Sequence, residues 1–376
     1  MRRLIVYLFA GVFLCAACFT GSSDTIPATD PKIEYTGRID FSNPLAPKFS
    51  YSGVSIHACF KGKSISAVLD DSLGQNYYNI ILDDSVIMVL KIEKGKKQYT
   101  LAANLRDTIH EIEIFKRTEE MFGKTSFYGF VINQGTSLVE ISNRRTRLIE
   151  FIGNSITCGY GNEGKLSEKF GASTENHYMT YAAITSRNFN AKHLAVCKSG
   201  IGIYRNYNGP SIGNKDCMPN YYSRIFLYDS IPLYDFKHKP DLICIDLGTN
   251  DFNTEGGDSS KFVKGYLKFI EILHHKYSKP DIICLLGPML NGNDLIKVRK
   301  YLQFIVEIAN KKGNGNVYFF EMSEQTGDLG LGIDYHPTVA QHIRNSVELI
   351  NFISALKEWT ICPHNKSTAD HSIMKR

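Results

Sequence analysis

Between residue 32 and about residue 143, apolar and polar positions alternate in short runs such as KFSYSGVSIHACF, SISAVLD, YYNIILDD, VIMVLKI, QYTLAANL, HEIEIFKR and FYGFVIN, parted by Gly, Asn and Asp. A period of two gives a strand one buried face and one solvated face. The run therefore predicts a β-sandwich of jelly-roll type over residues 33–143. After Arg147 the rhythm changes to strand, helix, strand, with apolar runs near 148–153, 193–197, 241–247, 281–286 and 317–321 that read as parallel strands buried on both faces. Helical spacing lies between and after them. Phe262, Tyr266, Phe269 and Leu273 form one stripe, and Leu295, Val298, Leu302, Ile305 and Ile308 a second. Val339, Ile343, Val347, Ile350 and Ile353 form a third, behind a proline suited to a first helical turn. The prediction is an α/β chain: a three-layer α/β/α domain with a parallel sheet over 147–359, preceded by the β-sandwich and followed by a tail at 360–376.

Composition changes this picture little. With 376 residues there is material for about two domains. The formal charge of +5 is mild and dispersed, and with no nucleic-acid module or basic face in view, a nucleic-acid partner is not expected. The N-terminus adds more. Arg2 and Arg3 followed by the apolar run Leu4 to Ala17 have the form of an export signal over residues 1–18, too short to span a membrane as a mature helix. Cys15-Ala16-Ala17-Cys18 is similar to a lipobox with Cys15 in place of the usual leucine, so lipid on Cys18, and with it membrane anchoring, stands beside plain secretion. The expected location is outside the cytoplasm of a bacterium: periplasmic, cell-surface lipoprotein or secreted. Residues 19–32, rich in Ser, Thr, Asp and Pro, read as a flexible tether. Nine cysteines show no regular disulfide spacing, and Cys244 and Cys284 sit within apolar strands where a thiol acts as a small hydrophobe. Cys158 has no neighbouring base and is read the same way.

Candidate chemistry gathers where strands end. IEFIGNSITCGYGNE (149–163) runs from a buried strand into a turn, placing Ser155 at the carboxyl end of the sheet, where ligands of open α/β folds bind. Alone, such a serine could be only a helix cap. LAVCKSGIGIYRNY places Gly200 after the next strand, where glycine lets a backbone N–H approach a substrate oxygen or simply makes a loop. DLICIDLGTNDF ends in Gly248-Thr249-Asn250-Asp251, and an asparagine amide donates without titrating, which suits an oxyanion hole as well as a turn. GIDYHPTVAQHI offers His336 as general base, with Asp334 two residues earlier to orient its ring, and His342 as a structural histidine.

Gly153-Asn154-Ser155, Gly200, Gly248-Thr249-Asn250-Asp251 and His336 together resemble, in order, the blocks of the SGNH (GDSL-like) hydrolases. With YTGRIDFSNP (35–44), HEIEIFKRTE, SGIGIYRNY and DYHP, residues 33 to about 359 resemble carbohydrate esterase family 2, the acetyl xylan esterase type. The resemblance implies a serine esterase, without metal or organic cofactor, that removes O-acetyl groups from plant polysaccharides or their oligosaccharides through an acetyl-enzyme. Carried over, Ser155 is the nucleophile, His336 the base, and the N–H groups of Ser155 and Gly200 with the Asn250 amide form the oxyanion hole. Asp334 as triad acid departs from the superfamily spacing of three, and family 2 varies in whether a carboxylate completes the triad. Tyr335 is expected to line the sugar site, with Arg205 and Asn206 in the loop YRNYNGP as further substrate-binding residues. The rivals are a lipase or phospholipase of the same fold, which would want a wide apolar trough, and a non-catalytic carbohydrate-binding protein.

Overall fold

The computed structural model describes residues 23–313 and 316–362. The expected export signal, with Arg2, Arg3, Cys15 and Cys18, lies outside the described residues.

The β-sandwich comprises β1 (Ser23–Pro27), β2 (Glu34–Thr36), β3 (Ile39–Asp40), β4 (Lys48–Phe49), β5 (Ser55–Gly62), β6 (Ile65–Asp71), β7 (Tyr77–Leu82), β8 (Ser85–Lys91), β9 (Gly95–Ala102), β10 (Thr108–Lys116), β11 (Thr125–Asn133) and β12 (Leu138–Val139). One sheet runs β3-β4-β11-β6-β9 with β1 on β11, and the other β12-β5-β10-β7-β8 with β2 on β5. Alternation in the sequence becomes alternation of burial: along Ile65–Asp71 the residues Ile65, Ala67 and Leu69 are fully buried while their neighbours are half-buried.

The tether expected at 19–32 is corrected for its described part. β1 pairs antiparallel with β11 from Ser23↔Asn133 to Pro27↔Gly129, Ala28 is buried, and the Tyr35 hydroxyl donates to the Ala28 carbonyl at 2.7 Å. SDTIP is too polar to signal a strand through its side chains. What fixes it is an open edge of β11, whose backbone groups pair with any extended segment alongside.

The second domain contains β13 (Arg147–Gly153), α1 (Ser155–Cys158), α2 (Tyr181–Asn188), β14 (Ala191–Cys197), α3 (Met218–Tyr221), β15 (Leu242–Asp246), α4 (Thr249–Phe252), α5 (Ser259–Tyr277), β16 (Ile282–Leu286), α6 (Gly292–Lys311), β17 (Val317–Glu321) and α7 (Val339–Lys357). Its sheet is parallel, in the order β14-β13-β15-β16-β17. Both faces are covered, as the apolar strands require. Ile149, Phe151, Cys244 and Leu285 pack with Tyr181 and Leu349 of α2 and α7, whereas Ile152, Ile243, Ile245 and Cys284 pack with Phe262, Phe269 and Leu302 of α5 and α6. Cys244 and Cys284 thus lie in the core as read, and the described cysteines are free thiols. Residues 360–362 are not all tail: Ile361 packs on this core, and the Cys362 N–H donates to the Asn188 carbonyl at 2.8 Å. No helix among the described residues is long and apolar enough to cross a membrane.

The two domains share buried contacts. Arg38, between β2 and β3, reaches Glu150 of β13 at 3.3 Å with both side chains fully buried, and its guanidinium also donates to the Arg224 carbonyl at 2.9 Å. Such a pair fixes geometry more than it adds stability, because each charge must be desolvated.

Candidate active site

Parallel register brings the pieces together. Gly153 of β13 stands opposite Cys197 of β14 and Asp246 of β15, so the segments that leave these three strands emerge side by side. A Cβ on Gly153 would sit 1.9 Å from the Thr157 hydroxyl, so only glycine permits the tight turn into α1. Asn154, not Ser155, caps that turn: its side-chain oxygen accepts from the Ile156 N–H at 2.9 Å. The serine is thereby left free of capping, and its hydroxyl lies 2.8 Å from His336 Nε2.

His336 is held from the other side by backbone. Nδ1 lies 3.0 Å from the Ile333 carbonyl oxygen, which can only accept, so the proton sits on Nδ1 and Nε2 is left to accept from the Ser155 hydroxyl. Burial pushes the imidazole below its ordinary value, against the opposing pull of the Ile333 carbonyl and the Asp334 charge. It is neutral at pH 7.

The expectation that the Asp334 carboxylate orients this ring is corrected. Asp334 (φ 49°) and Tyr335 (φ 62°) both adopt left-handed conformations, folding the chain so that the Ile333 carbonyl meets the ring while the exposed Asp334 carboxylate accepts instead from the Tyr160 hydroxyl at 2.7 Å. Tyr160 in turn packs on His336, with ring centroids 4.3 Å apart, and stacks on Phe170 at 3.5 Å. Asp334 therefore acts on the ring's packing neighbour.

Gly200 has φ +77°, a conformation suited to glycine, and the preceding Lys198 N–H donates to the Gly153 carbonyl at 3.2 Å. Asn250, on α4, donates one amide hydrogen to the Ile201 carbonyl at 2.8 Å, which leaves its second hydrogen for a ligand. Next to it, Asp251 accepts from the N–H groups of Ile203, Tyr204 and Arg205, each at 3.0 Å. Burial pushes the Asp251 carboxyl up to about 6 in spite of those bonds. It is a loop organiser.

Ser155, Gly200, Asn250, Asp334, Tyr335 and His336 all line one cleft of about 500 Å³. Tyr335 is 62% exposed on its rim. Arg205 and Asn206 are not in it, which corrects their assignment to substrate. Arg205 is 3% exposed and uses all five guanidinium hydrogens on protein acceptors, the Gly209 carbonyl of its own loop and, on α4 and the segment after it, the carbonyls of Asp251, Thr254 and Glu255 and the Thr254 hydroxyl. Asn206 accepts from the Gly202 N–H at 3.1 Å and donates to Asp216 at 3.0 Å. Their work is to present the neighbour, Tyr207, which is 51% exposed and does line the cleft. Tyr160, Ser199, Asn253 and Met289 line it as well and had no signal of their own beyond adjacency to the motifs. His342 is buried and accepts from the Tyr181 N–H at 3.3 Å, the structural part expected of it. Cys158 is buried against Cys197, and burial raises its thiol well above the usual range.

Among the described residues, two groups place metal-type donors within 4.8 Å of one another, His57 with Cys59 and Glu111, and Glu119 with Cys158 and Glu175. In the first, His57 is already paired with Glu111 at 2.6 Å; in the second, Glu119 accepts from Ser199. Neither includes Ser155 or His336.

Residues 35–141 match the carbohydrate esterase 2 N-terminal family, and residues 151–343 the GDSL-like Lipase/Acylhydrolase family. The chain is similar to an acetylxylan esterase / glucomannan deacetylase of Cellvibrio japonicus, at 30% identity over 89% of this chain and 92% of that protein. The chain belongs to carbohydrate esterase family 2. Another relative is the cellulase/esterase CelE of Acetivibrio thermocellus, 37% identical over 85% of this chain, which spans 39% of that longer protein. In structure, the chain superposes on a family two carbohydrate esterase from Clostridium thermocellum, solved with cellohexaose, with TM-score 0.83 and 35% identity over 87% of this chain and 99% of that one. Family 2 membership thus covers both domains, and the α/β domain has the SGNH-hydrolase fold.

Proposed function

We propose that this carbohydrate esterase removes acetyl groups from sugar hydroxyls of plant polysaccharides or their oligosaccharides by a serine and histidine pair. The observation that carries the reading is the 2.8 Å contact from Ser155 Oγ to His336 Nε2 in a cleft rimmed by Tyr207 and Tyr335. Ser155 attacks the ester carbonyl as its proton passes to Nε2. The oxyanion is stabilised by the N–H groups of Ser155 and Gly200 and the free Asn250 hydrogen. The imidazolium then protonates the departing sugar oxygen, and the neutral ring activates water to release acetate. The Ile333 carbonyl holds the ring through both steps. Tyrosines at the rim offer faces on which a sugar ring can stack, with the polar side chains of Ser199, Asn250 and Asn253 in the same cleft to orient it.

Rates on acetylated xylan, acetylated mannan, monosaccharide acetates and aryl esters of increasing acyl length test this reading. Acetylated saccharides should be preferred, with rates falling from acetyl to butyryl and beyond. Rates that rise with acyl length would favour a lipase.

Three expected results follow from particular atoms. Asn250→Ala should lose roughly 2.7–4 kcal/mol of transition-state stabilisation, read mainly in kcat; a raised KM at constant kcat would make Asn250 a substrate binder. Asp334→Asn, which keeps an acceptor for Tyr160, should reduce kcat by only a few-fold rather than the roughly 10⁴-fold loss of a triad acid. A loss of the larger size would return Asp334 to the triad. As for pH, only neutral imidazole accepts the serine proton, and burial depresses its pKa. The logarithm of kcat/KM should then climb with pH to a plateau, with a midpoint below the ordinary histidine value of about 6.5. A midpoint above that value would mean an ionised partner sits on the ring.

We further propose export, which Arg2, Arg3 and the apolar run Leu4 to Ala17 support, with lipid on Cys18 as its anchored form. Intact mass of the mature protein from cells distinguishes the lipidated from the plainly cleaved form.

A further inference from the structure

The segment that follows β10 leaves the sandwich and enters the hydrolase domain. Its Glu119 side chain, 2% exposed, ends on the loop beside the nucleophile: Oε2 accepts from the Ser199 N–H at 2.9 Å and Oε1 from the Ser199 hydroxyl at 2.5 Å. The segment is itself anchored. The Glu119 N–H donates to Glu175 at 3.3 Å, and Arg117 donates to the Glu175 carbonyl at 3.2 Å and to Asn79 at 3.1 Å.

Ser199 is the residue before Gly200, and both line the cleft. The loop from Lys198 to Ile201 is thus fixed at four points: to Gly153 through the Lys198 N–H, to Asn250 through the Ile201 carbonyl, to the Tyr207 N–H through the Gly200 carbonyl at 2.8 Å, and to the sandwich through Glu119. The first three ties come from within the hydrolase domain. The Glu119 tie holds the peptide on the N-terminal side of the one that carries the Gly200 N–H, and it uses two hydrogen bonds from one buried carboxylate, stronger than neutral ones. Burial pushes the Glu119 carboxyl up, while the Ser199 bonds and the nearby Lys198 and Lys116 charges oppose that. A rotation of this peptide by a fraction of an ångström would re-aim the Gly200 N–H.

We propose that Glu119 is a positioning residue for the oxyanion hole, so that the β-sandwich completes the active site of the hydrolase domain. This rests on the reading that Gly200 is an oxyanion donor in a serine esterase. The claim concerns the turnover step and not sugar binding, because Glu119 is covered by Ser199.

The experiment compares parent, Glu119→Ala, Glu119→Gln, Ser199→Ala and Ser155→Ala on a small aryl acetate, which has no sugar to bind, with thermal melting recorded for each. It also measures the rate at which a serine-directed phosphonate labels Ser155, since the phosphonyl oxygen enters the same hole. Glu119→Ala should lower kcat about 100-fold with KM within about twofold, as expected of a misplaced donor. Glu119→Gln should lose roughly tenfold because the amide keeps one acceptor, and Ser199→Ala a few-fold. Labelling rates should fall in the same order. If Glu119→Ala does not fold, the Gln and Ser199 variants carry the test. Unchanged kcat and labelling in those folded variants, or a raised KM alone, overturns the positioning role while leaving the esterase reading intact. A parent whose turnover survives Ser155→Ala overturns that reading and the inference with it.

Discussion

Ser155→Ala is expected to remove ester hydrolysis, with kcat down on the order of 10⁶-fold, as when the nucleophile of a serine hydrolase is deleted. The fold should persist, because the local structure does not depend on the hydroxyl: Asn154 supplies the cap of α1, Gly153 the close turn, and the Ser155 side chain bonds to His336. The check is a matched pair of measurements, kcat on an aryl acetate and the melting temperature. Turnover near the parent rate would show that another group attacks the ester.

His336→Ala should be as damaging. A serine hydroxyl near its ordinary pKa is a weak nucleophile, and the described structure offers the imidazole Nε2, at 2.8 Å, as the base that can take its proton. Since the two groups act as a unit, the double variant should be hardly slower than either single one. A coupling of this kind is read by comparing kcat of the three variants. Losses that add in free energy would mean that the serine and histidine act independently.

Much of this arrangement was legible from residue order. Strands buried on both faces must be continuous apolar runs, so the parallel strands and the long helices α5, α6 and α7 stood out, and with them the positions of Ser155, Gly200 and Asn250 after strands and of His336 just before α7. Where legibility failed, the deciding partner was distant in sequence or was backbone. β1 is a strand because β11 has a free edge for it, and α2 is buried almost all round and so has no clear stripe. Asp334 is a carboxylate close before His336, yet two successive left-handed residues, which side-chain type does not announce, give the orienting task to the Ile333 carbonyl. Arg205 carries the charge expected of a ligand contact, but one hydrogen bond within its own loop and four to residues 251–255 use it up. Glu119 lies 80 residues before Ser199, and no local pattern connects them.

The central claim is that Ser155 forms a covalent acyl intermediate. Intact-protein mass spectrometry after reaction with a serine-directed phosphonate, followed by peptide mapping, tests it most directly. The account predicts one adduct per chain, located on Ser155, and no adduct on Ser155→Ala. An adduct on another residue, or none on a protein that still turns over acetyl esters, would contradict it.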